Sequence, residues 1–170
     1  MKNTFRDYSL LKETKKSIPL FYPHIPKNAK KAVSKVLSTR WLGQGPLVDK
    51  FENVFSNKFC SKLPTVAVGS GTDALHLAYI LAGIQEGDEV ISPLFTCTAT
   101  NMPFLYMGAR IRFADVQPDT FNIDPNHVRT LMTDKTKAIV CVHYGGLPCD
   151  MKELREIADE WGVPIIEDAA

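Results

Sequence analysis

Long apolar runs are missing from this sequence. No stretch approaches the roughly eighteen apolar residues that a membrane-spanning helix needs. The opening residues, MKNTFRDYSLLKETKKS, mix polar and charged types and lack the apolar segment of a secretory signal. The expected location is the cytoplasm, away from any membrane. Charge of one sign is missing too: 20 Lys and Arg stand against 19 Asp and Glu, a net charge of +1. Such a balance argues for no nucleic-acid or anionic-membrane partner. Cysteine is sparse, with only Cys60, Cys97, Cys141 and Cys149 and no C-x-x-C pair. The four histidines, His24, His76, His127 and His143, show no H-x-x-x-H or H-E-x-x-H spacing. No metal is expected, and the thiols are expected to be reduced and mostly buried. Internal repeats and low-complexity tracts are absent as well.

What is present is an alternation of short apolar runs with helical patterns. Residues 1–17 read as a loosely held arm, and the proline-rich IPLFYPHIPKN as an extended stretch. Ala29, Val33, Val36 and Leu37 recur at helical spacing, which predicts a helix over 27–39. The loop RWLGQGP ends it, and Val48, Phe51, Val54 and Phe55 predict a second helix. From residue 64 onward, TVAVG, DEVISP, RIRFADV, TKAIVCVH and VPIIED read as five strands. Four helices are predicted among them. TDALHLAYILAG turns Leu75, Ala78, Leu81 and Ala82 inward. TNMPFLYMGA carries Pro103 near its start. DPNHVRTLM opens on an Asp N-cap and a first-turn proline. DMKELREIADEWG opens like a capping box. The expected fold is α/β, three layers deep: a mainly parallel sheet with helices on both faces, filling residues 18–170 as one domain. Ligands of such sheets gather at the carboxyl ends of the strands.

Two of those ends carry distinctive chemistry. VAVGSGTDALHLA is a run, a Gly-Ser-Gly turn and a helix start. Its N–H groups suit an anion, usually a phosphate, and Ser70 and Thr72 add hydroxyls. The plainer alternative is a tight turn capped by Thr72 or Asp73. Gly69, Gly71 and Ala74 also match the dinucleotide fingerprint G-x-G-x-x-A. That reading is demoted, because the next strand ends in Ser92-Pro93 where a ribose-binding acid belongs. At the other end, Asp168 closes an apolar strand, where a carboxylate needs a cationic or hydrogen-bonding partner. A structural hydrogen bond is one answer. The protonated ring nitrogen of pyridoxal phosphate, held at its phosphate by the glycine turn, is another.

Six stretches in order, RWLGQGPLVDKFE, VAVGSGTDALHLA, GDEVISPLFTCTATNMP, DVQPDTFNID, HYGGLPCDM and PIIEDAA, give residues 18–170 a resemblance to the DegT/StrS-type sugar-nucleotide aminotransferases. These are pyridoxal phosphate enzymes of fold type I, and the resemblance covers their N-terminal part. It implies that Gly71 and Thr72 hold the cofactor phosphate and Asp168 the ring nitrogen. It also implies that Ala170 packs on one ring face and Cys97 on the other. Cys97 stands where many members of the family carry an aromatic, so the stacking area there is smaller. Gly43 to Pro46 resembles a loop near the substrate pocket. His143 stays outside the catalytic set, as a structural histidine.

The resemblance further implies transfer of an amino group, from an amino-acid donor such as glutamate, to a nucleotide-linked keto-sugar for polysaccharide or related synthesis. The lysine that would carry the cofactor and shuttle the proton belongs beyond PIIEDAA. Lys135, Lys137 and Lys152 match nothing in the motif. The expectation is therefore an incomplete large domain, truncated before the lysine and the small domain. It has no catalytic residue of its own, is inactive alone, and is prone to self-association, as a homodimer or otherwise. A non-catalytic module binding pyridoxal phosphate or a nucleotide, or serving assembly, is the alternative. An NAD-binding domain is the minor one.

Overall fold

A strand in a parallel sheet covered on both faces is buried on both faces, and residues 90–93 and 138–141 are buried throughout. The computed structural model describes residues 23–170. The expected arm, residues 1–17, lies outside them, as does the start of the extended stretch. The chain divides into two compact units at Pro64–Thr65.

Among the described residues, the first unit holds two helices, α1 (Ala29–Thr39) and α2 (Pro46–Phe59), close to the predicted spans. Pro46 opens α2, where a missing N–H is harmless. Asp49 in its first turn and Lys58 in its last suit the helix dipole. Phe51, Phe55 and Phe59 recur every fourth residue, with ring centroids 5.7 and 4.9 Å apart. Neither helix buries a residue, so both apolar stripes lie open.

The second unit contains α3 (Gly71–Leu81), β1 (Glu89–Pro93), α4 (Thr98–Tyr106) and β2 (Arg110–Ala114). These are followed by α5 (Pro125–Leu131), β3 (Thr136–Val142), a 3₁₀ turn (Tyr144–Gly146), α6 (Met151–Trp161) and β4 (Ile165–Asp168). The sheet runs β2-β1-β3-β4 and every pair is parallel. Alternate side chains part to opposite faces. Ile91, Ile139 and Cys141 enter a core with Val128 of α5 and Leu154, Ile157 and Ala158 of α6. Val90, Ala138 and Val140 enter a second core with Leu75 and Tyr79 of α3 and Phe104 of α4. The three-layer arrangement is as expected. Each fully buried aliphatic side chain contributes about 1.5–3 kcal/mol.

Five details differ from the sequence reading. The run TVAVG forms no strand, so the sheet has four strands rather than five. A β-branched run has only a preference for strand, which packing must complete, and Val66 is 67% exposed. On α3 the inward residue is Tyr79, fully buried, while Leu81 is 78% exposed. Leu75 and Tyr79 lie four apart on one face, and Leu81 lies half a turn away from it. Helix α4 begins at Thr98, so Pro103 falls inside it. Asp150 does not cap α6; its carboxylate accepts instead from Gln117 Nε2 at 2.7 Å. The α3 cap is Ser70, whose Oγ accepts the Asp73 N–H at 3.1 Å, in place of Thr72 or Asp73. Other signals hold. Asp124 caps α5 through the Asn126 N–H, and Gly162 ends α6 with φ of 64°.

Phe104 is fully buried and stacks on Tyr79 with ring centroids 4.0 Å apart. Phe104→Ala is expected to lower unfolding free energy by about 3–5 kcal/mol in equilibrium urea unfolding. Leu81→Ala, on the open face, is expected to change it by less than about 0.5 kcal/mol.

Candidate functional site

Asp168 is 8% exposed at the carboxyl end of β4. A buried carboxylate is stable only with donors around it. Oδ2 accepts the Thr100 hydroxyl at 2.7 Å, and Oδ1 accepts the Ala170 N–H at 3.2 Å. Because Thr100 spends its proton on Asp168, Thr96 Oγ1, 2.7 Å from Thr100 Oγ1, is the donor in that pair. The Tyr79 hydroxyl donates to the Thr100 carbonyl at 2.9 Å. Burial, and then the negative charge of Asp168, push the Tyr79 phenol well above its usual range. Tyr79 is thus a fixed donor. The result is a hydroxyl chain, Thr96 to Thr100 to Asp168, braced from α3.

Helix α4 is positioned by the end of β1. Ser92, fully buried, donates to Asn101 Oδ1 at 2.6 Å, and Asn101 Nδ2 donates to the Pro93 carbonyl at 3.0 Å. Cys97 is the N-cap residue of α4 and is exposed. Together with Thr96, Asn101 and Phe113 it lines a hollow of about 500 Å³, which neither Gly71 nor Asp168 reaches. Gly71 is the first residue of α3, and a Cβ built on it meets no atom within 4 Å. Since Ser70 makes the cap, the Thr72 hydroxyl is not used in it. Helix α3 packs against β4 and α4, so the glycine turn and the acid belong to elements in contact. Gly71 lies about 12 Å along the helix axis from Tyr79.

The loop after β3 is pinned by Asn122, which is 1% exposed. Its Nδ2 donates to the Leu147 and Pro148 carbonyls at 3.0 and 3.1 Å, and its Oδ1 accepts the Tyr144 N–H at 3.0 Å. His143 starts this loop, with Nε2 3.0 Å from Glu167 Oε2 and Nδ1 accepting the Cys149 N–H at 3.2 Å. In the first unit, the loop Gly43–Pro46 wraps the Trp41 indole, which donates to the Gln44 carbonyl at 2.7 Å. A Cβ at Gly45 would collide with that indole, which would have to shift to admit any other residue there.

The structure therefore brings Asp168 and Ala170 together and sets Gly71 and Thr72 on a helix packed against the same strand. Cys97 opens the helix that carries Thr100. Sequence reading missed Thr96, Thr100 and Tyr79. The Thr96/Thr100 spacing of four, just after a strand, was the available signal. The dinucleotide fingerprint loses its context, because it needs a strand ahead of the glycines and residues 63–68 form none. Of the four thiols, Cys141 and Cys149 are buried, Cys60 is half-buried and Cys97 is exposed.

Residues 23–170 match the DegT/DnrJ/EryC1/StrS aminotransferase family. The chain is 38% identical over 156 residues to GDP-perosamine synthase of Escherichia coli O157:H7, covering 91% of this chain and 43% of that protein. It is 40% identical over 153 residues to the spore coat polysaccharide biosynthesis protein SpsC of Bacillus subtilis (strain 168), covering 90% and 39%. Among solved structures, NtdA of Bacillus subtilis with bound cofactor PMP superposes with a TM-score of 0.77 at 36% identity. That match covers 82% of this chain and 32% of NtdA. The chain thus spans about two-fifths of the length of the curated relatives it matches.

Replacing Thr100 by Val removes a buried donor and leaves Asp168 Oδ2 short of a partner. The expected cost is about 1–3 kcal/mol in urea unfolding at neutral pH. Thr100→Ser keeps the hydroxyl and is expected to retain most of the stability.

Proposed function

The chain belongs to the DegT/DnrJ/EryC1/StrS aminotransferase family, and from that premise we propose that it is the cofactor-cradling part of a pyridoxal phosphate-dependent sugar aminotransferase. The whole enzyme would move an amino group from an amino-acid donor, glutamate in the first instance, to a nucleotide-linked keto-sugar. The observation that carries this reading is the buried, hydroxyl-braced carboxylate of Asp168 at a strand end.

The residues present fit the cofactor. The carboxylate of Asp168 accepts two hydrogen bonds and keeps further lone pairs for a ring N–H. The first turn of α3 offers the unpaired N–H groups of a helix start, with open space over Gly71. Pyridoxal phosphate, when bound, supplies the electron sink that lets a bond at an amine-bearing carbon break. Asp168 would hold the proton on the ring nitrogen, and Thr100 would keep its carboxylate in place. Gly71 and Thr72 would bind the phosphate through backbone N–H groups and a hydroxyl. Ala170 and Cys97 would bound the ring's two faces.

In this reading the lysine that carries the cofactor lies in the part of the enzyme these 170 residues do not include, and a polypeptide of residues 1–170 does not transaminate. The open apolar stripes of α1 and α2, with Ile80 and Leu81 of α3, support self-association. Among the described residues no helix is long and apolar enough to cross a membrane, and we place the protein in the cytoplasm.

Absorbance titration with pyridoxal phosphate tests the site. Asp168→Asn is expected to weaken binding at least tenfold, and unchanged affinity would mean the acid is misassigned. After borohydride reduction, mass spectrometry of the 170-residue chain is expected to show no single preferred lysine adduct. One stoichiometric adduct would defeat the claim that the lysine lies elsewhere. Sedimentation coefficients are expected to rise with protein concentration; a monomer at every concentration would remove the self-association.

A further inference from the structure

Outside the cofactor cradle, three soft donors converge in the other core layer. Cys141 on β3, His143 just beyond it and Cys149 before α6 bring their ligand atoms within 4.8 Å of one another. The thiols are fully and 95% buried, and the His143 side chain is 15% exposed. We propose that Cys141, Cys149 and Nδ1 of His143 form a binding site for a thiophilic divalent cation, with zinc as the ion that fits best.

Geometry and charge support this independently of the transaminase reading. Zinc bonds of about 2.0–2.3 Å place tetrahedral ligands roughly 3.5–3.8 Å apart. The present separations, all within 4.8 Å, exceed that by at most about 1.3 Å, which side-chain rotations cover. Cys141 lies near the end of β3 and His143 begins the loop just past it, and the Asn122 clamp on Leu147 and Pro148 returns the chain so that Cys149 meets them. The histidine is already oriented for ligation. Glu167 accepts a hydrogen bond from Nε2–H, and the Nδ1 lone pair lies on the thiol side, where it now accepts the Cys149 N–H. A carboxylate on the far nitrogen is the usual support of a zinc-bound imidazole. The register pairs Cys141 with Glu167 and Val142 with Asp168, so two carboxylates lie on the neighbouring strand.

Charge selects the valence. Two thiolates cancel a dication, so the filled site is neutral and cheap to bury, whereas a monovalent ion would leave a buried negative charge. Binding releases the two thiol protons to solvent. The Met151 thioether, its Sδ 3.8 Å from Cys141 Sγ, stands ready at the edge of the set.

The test uses reduced, metal-free protein titrated with Co(II) and then with Zn(II). One equivalent of Co(II) is expected to produce a thiolate-to-cobalt absorption band that one equivalent of Zn(II) abolishes. Cys149→Ala is expected to remove the band, while Cys60→Ala leaves it intact. Glu167→Ala is expected to weaken zinc affinity about 10- to 100-fold, measured against a chromogenic chelator. No band in the unsubstituted protein, or a band that persists in Cys149→Ala, overturns the proposal. The first of these needs no variant to fold, and neither depends on pyridoxal phosphate.

Discussion

The hydrogen bond from Thr100 to Asp168 joins residues 68 positions apart, and the second unit is arranged around it. A carboxylate this buried would be expelled or neutralised without donors. Two donors reach it: the α4 hydroxyl of Thr100 at Oδ2 and the following Ala170 N–H at Oδ1, with Thr96 and Tyr79 holding Thr100 itself. Tyr79 belongs to α3, Thr100 to α4 and the acid to β4, so the acid acts as a checkpoint on the packing of α3, α4 and β4 together. A residue there with no acceptor would leave the Thr100 hydroxyl and the Ala170 N–H without their present partner.

The two cores divide the work. The layer under α3 and α4 holds the aromatic stack of Tyr79 on Phe104 and supports the hydroxyl chain. The layer under α5 and α6 holds Cys141 and Cys149 and the buried ends of the α5 and α6 faces. Asn122 ties the loop after β3 to the segment after β2, spending both amide hydrogens and the amide oxygen in doing so. No buried side-chain nitrogen or oxygen among the described residues lacks a partner. Polar groups in such a sheet are tolerated only on those terms.

What sequence alone revealed follows from how local each signal is. The Asp124–Pro125 cap, the Gly162 stop and the strands around Ile91 and Val140 depend on neighbours a few residues away, and they were legible. The open edges were not. TVAVG has the composition of a strand, yet strand formation depends on a ladder partner that composition does not specify. Leu81 fits a helical stripe, but the stripe is drawn by the buried Tyr79, whose aromatic bulk reaches α4. Asp150 has the capping pattern, and a long-range amide, Gln117, outcompetes the local N–H. The family motifs single out Gly71, Thr72 and Asp168 as candidates. The Thr100 partner and the meeting of Cys141 with Cys149 come from tertiary contacts that no spacing rule encodes.

Strand order carries a consequence for biosynthesis. The chain makes β1, β2 and β3 first, and their parallel ladders close with residues 89–142 alone. Strand β4 then adds to the outer side of β3, bringing the acid last. Thr100 is synthesised 68 residues ahead of the carboxylate it holds. The buried acid can therefore be satisfied only once β4 has joined the sheet beside α4, so the outermost strand cannot dock stably on an unfinished α4.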